Sequence, residues 1–100
     1  MTDLSRTDII KLIDIATAPL NLRGVNLTSI DLVLLNLKRA DLSGANLTGA
    51  NLVQANLSFA NLTGADLTRA KLNGAILTDV RGLGAALNGA NPTGVKGYNK

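Results

Sequence analysis

Residues 40–78 read ADLSGANLTGANLVQANLSFANLTGADLTRAKLNGAILT. One phrase repeats: Ala, a residue that is mostly Asn or Asp, Leu, then two variable positions. Leu42, Leu47, Leu52, Leu57, Leu62, Leu67, Leu72 and Leu77 fall five apart without a miss. Each has an alanine two residues before it, from Ala40 to Ala75.

A step of five suits neither common element. At about 100° per residue, leucines five apart drift round a helix and form no stripe. Along a strand an odd step sends successive leucines to opposite faces. The pattern closes if the chain turns a corner once per pentad, so that four corners make a coil of about 20 residues. Stacked coils then pair edge to edge at roughly 4.8 Å. In such a solenoid each coil buries its leucines only by having neighbours. Leu points into the shaft, and the Ala before it stays small because four sides converge there. Asn or Asp suits the corner, where its side chain bonds nearby backbone. Gly at the last position tolerates unusual backbone angles.

These residues resemble the motif A(D/N)Lxx of the pentapeptide-repeat family, over roughly residues 20–95. The resemblance implies a right-handed quadrilateral β-helix. The expected fold is therefore an all-β solenoid of about four coils with a short N-terminal capping α-helix. The expected division is 1–18 for the capping helix, 19–95 for the β-helix and 96–100 for a flexible tail.

Ile9, Leu12, Ile13 and Ala16 share a helical face, and the spacing predicts a helix over about residues 6–16. Ser5 with Asp8 resembles a capping box, and Pro19 disfavours helix at Ala18. In the first coil Leu20, Val25, Ile30 and Leu35 replace the small inward alanine. A coil that meets a helix needs more apolar surface than one between identical coils. After Leu77 the repeat decays. Gly82 stands in a leucine slot, with Leu83 beside it as a candidate to swing inward, and Pro92 in another leucine slot removes a ladder donor.

The chain has no Cys, His or Trp, and one Tyr and one Phe. It also lacks Glu, and the joint absence of His, Cys and Glu removes the common nucleophile triads and most zinc sites. The carboxylates at Asp31, Asp41 and Asp66 occupy the position that Asn fills elsewhere, which points to turns. No catalytic, cofactor-binding or metal-binding residue is expected, and no small-molecule substrate. The Thr28, Thr48 and Thr68 column is a single row, too narrow to read as an ice-binding face. Net charge is +3, and the basic residues scatter over several sides, which disfavours nucleic acid. No apolar run is long enough for a membrane span. The start carries acids through its apolar part, unlike a secretory leader, so cytoplasm is the expected compartment.

The outward apolar residues Val33, Leu34, Val53 and Phe59 form the candidate protein-contact patch. The leading expectation is a non-catalytic protein-interaction or scaffold module with an unidentified protein partner. The alternative that the family resemblance implies is a DNA mimic that inhibits a type II topoisomerase, which the short length and positive charge disfavour. Pro92, Lys96 and Lys100 at the C-terminal end favour a monomer over an end-to-end homodimer.

Overall fold

The computed structural model describes residues 4–82, 87 and 89–97. The expected corner at Asn or Asp instead begins two residues later in the chain. Asn and Asp are the residues that pair, each through a single parallel bridge to the residue twenty further on. Asn21 pairs with Asp41 and Asp41 with Asn61. Asn36 pairs with Asn56 and Asn56 with Ile76. The chain turns over the two residues that follow each Leu, and every bridge is one residue long because a turn follows at once.

Three hydrogen bonds per side stitch successive coils, one of them from the turn, as from the Gly44 N–H to Thr63 O at 2.8 Å. The Leu42 N–H donates to Asn61 O at 2.8 Å, and the Asn61 N–H to Ala40 O at 3.0 Å. A further bond closes the turn within the pentad, as from the Ala45 N–H to Leu42 O at 3.0 Å. The Asn or Asp side chain then holds the turn from its leading edge. In pentad after pentad its Oδ1 accepts the backbone N–H two residues on, at 3.0 Å for Thr48 on Asn46 and for Ser58 on Asn56. This side-chain mimic of a backbone turn explains why Asn and Asp fill the position.

The shaft is leucine and alanine. Every leucine at the repeat position from Leu22 to Leu77 is buried, and so are Ala40, Ala45, Ala50, Ala55, Ala60, Ala65, Ala70 and Ala75. The bulkier Leu20, Val25 and Leu35 are half-buried against this core, and Ile30 is buried. The last residue of the pentad takes a left-handed φ. Gly24, Gly44 and Gly64 do so at +67° to +71°, as the absent Cβ allows. Ser29, Leu34, Arg39, Gln54, Phe59, Arg69 and Asp79 also do so, at φ between 53° and 66°. Such angles are uncommon for residues with a Cβ.

Helix α1 spans Arg6–Ile15. Ser5 caps it with a reciprocal box: the Asp8 N–H donates to Ser5 Oγ at 3.1 Å, and the Ser5 N–H to Asp8 Oδ2 at 2.9 Å. The Ser5 N–H, and after it the Ser5 hydroxyl, hold the Asp8 carboxyl below its usual range. Ile9 is fully buried in the leucine core, with Leu12 and Ile13 packed partly against it. Arg6 fixes the helix to the coil, donating to Asp31 O at 3.2 Å and to Asp31 Oδ1 at 3.3 Å.

The regular stacking changes after Val80. Arg81 still bridges Asn61, but Gly82 is exposed with φ +72°. Leu83 and Lys100 lie outside the described residues. Pro92 is exposed rather than inward.

Candidate functional site

The candidate patch divides in two. Val33 and Val53 stack on one side of the shaft and are half-buried, with the Leu34 N–H donating to Val53 O at 3.1 Å. Leu34 stands at the following turn and is 67% exposed. Phe59 belongs to the next turn column, with Arg39 before it and Asp79 after it. Its N–H donates to Thr78 O and the Arg39 N–H to Ser58 O, both at 2.8 Å. The structure therefore brings Val33, Leu34 and Val53 together, and sets Phe59 one side-width away.

Phe59 has its own partner. The Arg39 guanidinium lies over its ring, 4.9 Å from the centroid, within the range where a cation is drawn to an aromatic face. The ring is still 43% exposed. The twenty-residue separation of Arg39 and Phe59 was the sequence signal for this contact. Arg39 and Lys38 also line an open groove of about 340 Å³, together with Ile13, Ala16, Pro19 and Leu20. Ile15, at the last position of α1, is 74% exposed. The helical pattern marked the buried face of α1, and Ile15 lies off it.

The carboxylates serve the turns. Asp41 Oδ1 accepts the Ser43 hydroxyl at 2.6 Å and the Ser43 N–H at 3.0 Å. Asp66 Oδ1 accepts the Thr68 hydroxyl at 2.5 Å and the Thr68 N–H at 2.9 Å. In each case the hydroxyl is the main cause, with the N–H second, of a pKa held below the usual carboxylate range. A smaller push in the same direction comes from Arg23 on Asp41, 3.6 Å from its Oδ2, and from the Thr48 hydroxyl on Asp66. These groups stay charged and hydrogen-bonded to their own pentads, a geometry suited to holding turns rather than moving protons. Among the described residues no three His, Cys, Asp or Glu side chains gather as a metal would need.

Comparison with known proteins matches this architecture. A sequence model of pentapeptide repeats, with 8 copies, matches residues 21–58 and 40–79. Among solved structures, the chain is similar to QnrB1, a plasmid-mediated fluoroquinolone resistance protein. The TM-score is 0.65 and the identity 24%, over 76% of this chain and 37% of that one. It is also similar to a pentapeptide repeat protein from the Arabidopsis thaliana thylakoid lumen. There the TM-score is 0.55 and the identity 25%, over 78% of this chain and 61% of that one. The chain thus spans less than two thirds of either structure. No curated protein matches it in sequence. The likenesses give the fold as a right-handed β-helix.

Proposed function

The chain belongs to the pentapeptide-repeat family, and from that premise we propose that it is a non-catalytic protein-interaction or scaffold module. Its contact surface is built on Val33, Leu34 and Val53, with Phe59 as a second point. The supporting observation is a double cost at Leu34. Its backbone holds φ +66°, and its side chain is 67% exposed. A left-handed φ costs a residue with a Cβ about 1–2 kcal/mol. Gln54, the next residue in that column, holds φ +59° with a polar side chain, so the fold itself does not call for an apolar residue there. A partner that covers Leu34 recovers the apolar exposure.

The test is a pull-down with wild type, Leu34→Asp and Phe59→Asp. Proteins captured by wild type and lost with Leu34→Asp support the surface; an unchanged set refutes it. The charge of +3 opposes a DNA mimic, and potent inhibition in a gyrase supercoiling assay would reverse that ranking.

The same proposal takes the architecture as about four coils over 19–95, with α1 in 1–18 as a cap and 96–100 as a tail. Residues 98–100 of that tail lie outside the described residues. It takes the chain as a monomer, because Pro92 has no N–H for an added coil and Lys96 puts charge at the same end. Among the described residues no helix is long and apolar enough to cross a membrane. A cytoplasmic location rests on the cysteine-free composition, while a similar structure comes from a thylakoid lumen.

A further inference from the structure

Building on the reading of this chain as an interaction module, we propose that the groove between the end of α1 and the Lys38–Arg39 turn takes an extended peptide. The bound segment carries a carboxylate next to an apolar side chain.

The apolar part of the lining, Ile13, Ala16, Pro19 and Leu20, offers contact, and Lys38 and Arg39 line the same groove. A volume of about 340 Å³ lies at the small end of binding pockets, roughly 300–1,000 Å³, and suits a few residues. The edge carries uncompensated positive charge. Among the described residues the ion pairs are Arg6 with Asp31 and Arg23 with Asp41. Neither Lys38 nor Arg39 takes part in one. Asp79, in the Arg39 column, is separated from it by Phe59.

Arg39 is also held in place. Its N–H is tied to Ser58 O at 2.8 Å, and its guanidinium lies over the Phe59 ring at 4.9 Å. Stacking uses the flat face of the guanidinium and leaves the N–H donors at its rim for a carboxylate, which an arginine fork grips with two bonds. A side chain already restrained loses less freedom on binding. The peptide's apolar side chain then covers Leu20 and Ile13. A phosphate backbone would use the two cations and leave the apolar lining bare, and a wholly apolar segment would leave the cations unmatched. A larger open hollow over Asn21, Arg23, Gly24, Ser43 and Gly44 offers less, because Arg23 already faces Asp41.

The probe is a fluorescein-labelled peptide of sequence GSDLEF, titrated by anisotropy and mapped on the full chain by two-dimensional amide NMR. Two control peptides replace its acids by their amides, or its Leu and Phe by Ser. The account expects amide shifts at Leu20, Lys38 and Arg39. It expects binding about tenfold weaker for Arg39→Gln and for each control peptide, with Arg39→Lys in between. The amide spectrum of each variant verifies its fold. Equal binding of the amide peptide, or no shift at about 2 mM peptide, overturns the proposal. Shifts confined to Leu34 and Val53 also overturn it, while leaving the wider interaction reading intact.

Discussion

Residues 40–79 and residues 80–97 use the same ladder with different fidelity. In the first region the turn N–H reaches a carbonyl nineteen residues on: Gly44 to Thr63 at 2.8 Å, Gln54 to Asn73 at 2.9 Å, Phe59 to Thr78 at 2.8 Å. Where the acceptors lie in the second region, the reach is twenty: Arg69 to Gly89 at 2.8 Å and Gly74 to Gly94 at 3.1 Å. The bridges themselves survive, with Lys71 on Asn91 and Ile76 on Lys96. What changes is the leucine slot. Gly82, Pro92 and Gly97 occupy it and are exposed, and Leu87 is only half-buried. Pairing thus survives where the slot residue is no longer fully buried, at Leu87 as at Pro92, while the phase of the turn does not. The leucine anchors each pentad to the shaft and thereby sets which carbonyl the turn meets.

The largest expected effect breaks the regular region. Leu57→Ala removes a fully buried side chain from a shaft whose neighbours are pinned by the ladder, and should cost about 2–5 kcal/mol in urea unfolding. Leu87→Ala, in the half-buried slot, should cost less than half as much. Equal losses would mean that the two regions share one core.

A glycine pair sharpens the contrast. A Cβ on Gly82 would come within 2.6 Å of Thr63 Cα, whereas one on Gly64 has 3.8 Å to its nearest neighbour. Both have a left-handed φ, at +72° and +71°. Gly64→Ala should cost about 1 kcal/mol from the backbone alone, and Gly82→Ala about 1–3 kcal/mol more from overpacking. A larger loss for Gly64→Ala in thermal unfolding would refute the irregular turn at Gly82.

Leu34→Gly should be neutral or stabilise the chain by up to about 1 kcal/mol, because glycine accepts the φ that leucine strains against. A clear loss in the same unfolding assay would show that Leu34 serves the fold, against its proposed role as a contact.

The smallest effect is acidic. The folded-state pKa values of Asp41 and Asp66 lie below 3.8, so the stability they add is present above the unfolded value and is lost as pH falls through the folded one. Melting temperature should hold from neutral pH to about 5 and decline below about 4. Asp66→Asn, which installs the residue used elsewhere in the repeat, should flatten that decline. A steeper one would contradict the turn role.

Much of this was legible in the sequence, for physical reasons. A strict step of five with Leu inward leaves few ways to close a chain, so the bridges between residues twenty apart followed from spacing. The turn bonds of Asn and Asp followed from their short side chains. The Ser5–Asp8 box and α1 followed from capping chemistry and the helical face. The rest depended on three-dimensional register. Leu34 and Phe59 already fall in different columns of a twenty-residue coil, with Phe59 around the corner, but their exposures of 67% and 43% did not follow from that spacing. Seven residues with a Cβ accept a left-handed φ because the ladder to the neighbouring coil and the turn bonds override local preference. The groove beside Arg39 needed the end of α1 placed against the first coil, through a contact between Arg6 and Asp31 that no local pattern marks.

The most direct test of the leucine-set register is native-state amide hydrogen exchange at two matched bonds. The Asn56 N–H donates to Leu35 O at 3.0 Å and the Lys96 N–H to Ala75 O at 2.8 Å, so bond geometry alone predicts similar protection. The account predicts at least about 100-fold slower exchange at Asn56, close to 2.7 kcal/mol, with high protection across Leu47–Leu67. Protection at Lys96 equal to that at Asn56 would contradict it, because the ladder would then hold without leucine beneath it.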